Sequence, residues 1–170
     1  MLDCIPDNQF FMFEKGVFPP MLEKGEAVFS YASKAYWIDV GRPSQYHQLN
    51  RDILRGICSS PLHRVEDIAI GRGCEVHPSA RISGPAIIGG DCSIGEDAII
   101  TSPAVIGRGC RIGKKAVIDD SVLWDNIIIG AGACVIGSII ASGANIVENA
   151  RLEDLAINQA APSDPITEKI

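Results

Sequence analysis

No run of about 18 apolar residues occurs in this 170-residue sequence, so no transmembrane helix is expected. The opening stretch MLDCIPDNQFFMFEKG lacks a basic segment ahead of a continuous apolar one, so a signal peptide is not expected either. None of the six cysteines falls in a C-x-x-C pair, which removes the commonest zinc and redox patterns and points to reduced thiols in a cytoplasmic protein. Positive charge is in deficit. Fifteen Lys and Arg stand against 21 Asp and Glu, a net charge of −6, which argues against a nucleic-acid or anionic-membrane partner. What remains is 46% apolar and 21% charged, enough to bury a core and unlike a disordered tail.

The dominant signal is an internal repeat. From Ile70 the sequence divides every six residues into IGRGCE, VHPSAR, ISGPAI, IGGDCS, IGEDAI, ITSPAV, IGRGCR, IGKKAV and IDDSVL. Each hexad opens with Ile or Val, the fifth place is Cys, Ala or Val, and the second is most often Gly. Three hexads make a period of 18, so that Ile70, Ile88 and Ile106 share one place, as do Val76, Ile94 and Ile112. Stacked as coils, such sets form aliphatic ladders at the spacing of parallel strands, about 4.8 Å. One coil cannot bury its own inner face, so stability comes from the stack. After Ile118 the spacing falls to 17, through Ile112, Ile129 and Ile146 and through Ile118, Val135 and Leu152. About five coils are expected over 70–157, with a loosely attached tail over 158–170.

This hexad resembles the bacterial-transferase hexapeptide repeat, and the resemblance implies a left-handed parallel β-helix. The general crossover rule alone would predict the opposite hand.

Ahead of the repeat, residues 1–57 have another character, with 58–69 as a linker. Pro19 and Pro20 start a short helix expected to end at Gly25. AVFSYA and AYWIDV read as strands. A helix over PSQYHQLNRDILRG is expected to turn Tyr46, Leu49, Ile53, Leu54 and Ile57 to one side and to stop at Gly56. So small an α+β segment makes a poor independent domain and reads as the end of a larger one.

The run FMFEKGVFPPMLEKGEAVFSYASKAYWIDVGRPSQYHQLNRDILRG resembles the end of the catalytic domain of sugar-1-phosphate nucleotidyltransferases, most closely the mannose-1-phosphate guanylyltransferase group. The resemblance implies roles for three residues. Asp39, within Trp37-Ile38-Asp39-Val40-Gly41, becomes a Mg²⁺ ligand, as a hard cation at a phosphate prefers carboxylate oxygen. Glu14 and Lys15 fall beside the sugar phosphate, Glu14 accepting from a sugar hydroxyl and Lys15 countering phosphate charge. Arg42 departs from the family's usual Thr after Gly41. The family's Gly-rich nucleotide loop and its first metal-binding aspartate have no counterpart here, so this chain alone is expected to be inactive, with Mg²⁺, sugar phosphate and nucleoside triphosphate bound only by the intact enzyme. Each residue also has a plainer reading: Asp39 as a turn residue before a helix, Glu14 and Lys15 as an exposed pair.

Cys74, Cys92 and Cys110 recur one coil apart. A line of thiols does not approach tetrahedral zinc geometry, and small Cys packs well at such places. His77, in VHPSAR, sits where an acyltransferase would keep a base, or shapes a corner with Pro78. His47 and His63 lie outside the repeat, so a three-histidine zinc centre is not expected. Trp124 reads equally as an exposed contact or a corner cap. Three functions follow in order: the C-terminal part of a GDP-mannose-forming nucleotidyltransferase, acting as an assembly or regulatory module; a non-catalytic scaffold subunit; and an acyltransferase centred on His77. A homo-oligomer is expected in each case, because coil faces and ends need cover.

Overall fold

A computed structural model describes residues 5–58, 67–158 and 166–169. The chain forms two compact units, one running to Ala35 and the other from Tyr36 onward.

In the first unit a π-helical turn, Phe13–Val17, runs into helix α1, Phe18–Glu23. Val17 is the one buried side chain among the unit's described residues. Helix α1 ends as expected. Gly25 takes a left-handed backbone, and the Glu26 N–H reaches back to the Met21 carbonyl while the Gly25 N–H reaches Leu22. Phe10, Phe29 and Tyr31 are almost wholly exposed.

The two expected strands do not form: AVFSYA and AYWIDV lie outside every strand. Aromatic and β-branched residues favour a pleated surface, but a strand exists only where a neighbour supplies the ladder, and none does among the described residues. The segment ahead of the coil is therefore helical and irregular here, not α+β.

The second unit opens with helix α2, Pro43–Leu54, closed at Gly56 by the same pair of backbone bonds that closes α1. Its inward face differs from the expected one. His47, Asp52 and Leu54 are buried, whereas Ile57 is exposed. His47 meets a coil corner that offers a carbonyl, Leu54 lies over the apolar row beside it, and Asp52 is buried on the other side, where Tyr36 and Gln48 bond its carboxylate.

From Ile68 the chain winds as a parallel β-helix whose short strands stack into three faces. The first face holds Ile68–Ile70, Ala86–Ile88, Ala104–Ile106, Val122–Leu123, Ile139–Ile140 and Leu155–Asn158. The second holds Glu75–Val76, Ser93–Ile94, Arg111–Ile112, Ile128–Ile129 and Asn145–Ile146. The third holds Arg81–Ile82, Ile99–Thr101, Val117–Asp119, Cys134–Ile136 and Arg151–Glu153. The core is the expected ladder set, with Ile88, Ile100, Ile106, Ile118, Ile129 and Ile140 at 2% exposure or less. The tail is less loose than expected: Ile166–Lys169 folds back antiparallel onto Leu155–Asn158. The linker's residues 59–66, His63 among them, lie outside the described residues.

The change from 18 to 17 residues has a defined place. Thr101 pairs with Asp119 and Val105 with Val122, so one residue is lost at the corner between Asp119 and Val122. The ninth hexad is thus a pentad. Val122 faces outward beside Val105, and Ser121 takes the small inner place. The buried Ser121 hydroxyl donates to the Asp119 carbonyl at 2.7 Å and accepts from the Ser138 N–H at 3.1 Å. Ser138 repeats the arrangement with Ile136 and Leu155. Asp120, Gly137 and Asp154 occupy these successive corners in left-handed conformations.

Candidate functional site

Asp39 stands on an exposed strap between two ties to α2. Upstream, the Tyr36 hydroxyl donates to Asp52 Oδ2 at 2.6 Å, and Gln48 Nε2 donates to Asp52 Oδ1 at 2.8 Å. The Asp52 carboxylate, accepting this bond, pushes the Tyr36 phenol up to about 12. Downstream, the Gly41 N–H donates to Gln45 Oε1 at 3.2 Å, and Pro43 begins the helix. The strap therefore presents one free carboxylate from a fixed base. Among the described residues no three His, Cys, Asp or Glu side chains converge as a metal cage. A lone carboxylate suits Mg²⁺ only as one ligand beside phosphate oxygens and water. In the other unit, Glu14 and Lys15 are both exposed on the π-helical turn.

Helix α2 is joined to the coil by polar residues that sequence reasoning missed. The His47 Nε2–H donates to the Asp120 carbonyl at 2.7 Å, and Arg51 Nε donates to Asp120 Oδ1 at 2.8 Å while its Nη2 bonds Oδ2. Burial lowers the His47 pKa, outweighing the opposing effect of the Asp120 carbonyl. Asp120 in turn holds the Arg51 guanidinium firmly charged. Beneath them the outward row of the first face is apolar throughout: Ala69, Ile87, Val105, Val122, Ile139 and Ala156. His47 and Leu54 lie against its middle, at Val105 and Val122. That row is the signal from which the helix contact could have been read.

Trp124 is a contact residue of this junction. Its ring meets Tyr46 edge-on, centroids 6.3 Å apart, and remains about half exposed. It walls an open cleft of about 450 Å³ lined also by Val40, Arg42, Ile139, Ala141 and Asn158.

The cysteine ladder is structural. The thiols of Cys74, Cys92 and Cys110 donate to the carbonyls of Gly89, Gly107 and Trp124 at 3.0, 3.1 and 3.0 Å. Burial pushes the Cys92 thiol up to about 11 and raises Cys110 also, the opposite of an activated or metal-binding thiolate. His77 is exposed at a corner, its Nδ1 accepting from the Ser79 N–H at 3.2 Å and lying 2.9 Å from the Ser79 hydroxyl, whose oxygen accepts from the Asp97 N–H of the next coil.

Residues 66–160, more than half of the chain, match the family model of the EIF2B subunit epsilon LbH domain. The chain belongs to that family. It is 32% identical over 108 residues to a mannose-1-phosphate guanylyltransferase of Mycobacterium tuberculosis, a match spanning 51% of this chain and 30% of the relative. A glucose-1-phosphate adenylyltransferase of Desulforamulus reducens is 45% identical over 42 residues, spanning 25% of this chain and 10% of the relative. Both relatives are sugar-1-phosphate nucleotidyltransferases, and the chain spans less than a third of the length of either. Among solved structures, a variant perosamine N-acetyltransferase from Caulobacter crescentus, in complex with CoA and GDP-perosamine, is 24% identical over 57% of this chain and 56% of that one, with a TM-score of 0.28. That likeness says nothing about chemistry here.

Proposed function

We propose that the chain is the C-terminal region of a GDP-mannose-forming nucleotidyltransferase of the cytoplasm, and that its β-helix serves assembly while the chain alone is inactive. The observation that carries this reading is the path from Asp39 to the coil. The strap holding the candidate metal ligand is tied to α2 through Tyr36 and Gly41, and α2 is pinned to the coil through His47 and Arg51. A catalytic carboxylate and an oligomerising coil thus share one framework, so fixing the coil fixes the position of the carboxylate. The relative that is 32% identical supports the choice of sugar and nucleotide.

In the intact enzyme Asp39 would give Mg²⁺ one oxygen ligand, and the ion would supply charge neutralisation at the phosphates. Lys15 would counter the sugar phosphate, and Glu14 would orient the sugar by accepting from a hydroxyl. Orientation of the attacking phosphate in line with the leaving pyrophosphate is the work left to these side chains.

The test is pyrophosphorolysis of GDP-mannose by this chain and by the same chain joined to a preceding nucleotidyltransferase catalytic region. No turnover is expected from the first. Turnover is expected from the second, with a loss of about a hundredfold or more on Asp39→Ala. Turnover by the chain alone, indifference to Asp39→Ala, or preference for ADP-glucose would each overturn its part of the reading.

A further inference from the structure

The three faces of the coil do not show the same outward chemistry. The first is apolar and carries α2 over its middle. The second shows Glu75, Ser93, Arg111, Ile128 and Asn145, polar in four of five coils. The third carries two outward rows separated by its inward ladder. One runs Arg81, Ile99, Val117, Cys134 and Arg151; the other runs Thr101, Asp119, Ile136 and Glu153. Its centre, at Ile99, Val117, Cys134 and Ile136, is apolar and partly exposed, while charge is confined to Asp119 and the outer coils. Asp119 on the middle coil apart, this is an apolar centre with charge at its ends, the usual composition of a protein interface.

We propose that the third face is where two copies of this chain associate, about a two-fold axis running parallel to the stack of coils. Charge selects this arrangement. A two-fold along the strands would set the first coil against the last and place Arg81 opposite Arg151 of the second copy, like against like. A two-fold along the stack keeps each coil level with its equivalent and exchanges the two rows. Arg151 then lies opposite Glu153 of the second copy, and Cys134 lies opposite Ile136. Arg151 and Glu153 already pair within one chain, so association gathers two such pairs into a four-charge cluster. Asp119 falls opposite Val117, with one carboxylate oxygen already bound by the Thr101 hydroxyl at 2.5 Å. The contact is isologous and closes at two copies, since the same surface serves both.

This inference rests on the assembly role proposed above, and the outcomes separate the two. Light scattering after size exclusion is expected to show a dimer. Ile136→Arg is expected to give monomers, whereas Ile128→Arg on the second face leaves the dimer intact. Arg151→Glu and Glu153→Arg should each weaken association by about tenfold, and the double exchange should restore it. In the Ile136→Cys variant, mild oxidation is expected to link two chains through the native Cys134 of one and the introduced thiol of the other. A monomeric parent chain would overturn the assembly role together with the face. A dimer that resists Ile136→Arg, yields to Ile128→Arg, or gives no cross-link would overturn the face alone.

Discussion

The imidazole of His47 donates a hydrogen bond to the backbone carbonyl of Asp120 across 2.7 Å, joining residues 73 positions apart. The bond falls where the coil loses a residue. The shortened corner puts Asp120 into a left-handed conformation, φ 45°, with its carbonyl on His47 and its carboxylate on Arg51. The change of period and the attachment of the helix thus occupy the same corner.

The pH dependence of stability follows from His47. In the unfolded chain its ring takes up a proton near the usual 6.5; in the folded chain burial holds the pKa lower. Below about pH 6.5 the unfolded state therefore binds more protons, so stability is complete above that pH and is lost as pH falls towards the folded pKa. Urea midpoints should fall between pH 7.5 and 5.5. In His47→Gln this part of the slope should vanish, at a cost of about 1 kcal/mol at neutral pH.

At the next corner, Gly137 has φ 59°, and a Cβ there would run into Asp154 Oδ1. Gly137→Ala should destabilise by about 1–3 kcal/mol in urea unfolding. Adding Asp154→Ala removes the collision and leaves the backbone penalty, so the double variant should recover part of the loss.

The coil was legible because its rule is local: an aliphatic residue every sixth place and a small one between satisfies the inner wall regardless of what lies elsewhere. Even the shift to 17 could be read. What misled was Val122, an apolar residue that took the place of the buried Ser121 in the reading, since a buried serine is recognised only once its hydroxyl has partners at Asp119 and Ser138. The helix face was misjudged for a related reason. His47 and Arg51 look solvent-facing until Asp120, distant in sequence, is placed beneath them. The two expected strands failed because strand-forming residues cannot supply their own neighbour. Asp39, Glu14 and Lys15 were readable only through the family motif, as nothing in their local geometry marks them.

The thiols divide by environment. Cys92 and Cys110 are buried and bonded to carbonyls, and desolvation raises both pKa values. With Cys92 near 11, its thiolate fraction at pH 8 is lower by about a hundredfold than that of an ordinary thiol. Iodoacetamide at pH 8 should modify Cys58, Cys74 and Cys134 ahead of the buried pair, all three being partly exposed. Cys92 and Cys110 should be labelled only in denaturant. Mass mapping of the alkylated peptides checks the order.

Tyr36 ties the strap that carries Asp39. Its phenol donates to Asp52, a carboxylate only 7% exposed whose other oxygen is held by Gln48. Removing the hydroxyl in Tyr36→Phe leaves Asp52 one partner short and frees the upstream end of Trp37–Val40, while Gly41 still holds the other end. Two readouts should move together. Tyrosine absorbance titration of the native chain should show one ionisation delayed to about pH 12, and Tyr36→Phe should abolish that step. Limited proteolysis should also cut the variant within residues 37–40 sooner than the parent, with the coil intact in both. If the late ionisation disappears while cleavage does not change, the strap is held by the Gly41 end and its packing, and the Tyr36–Asp52 bond is not what positions Asp39.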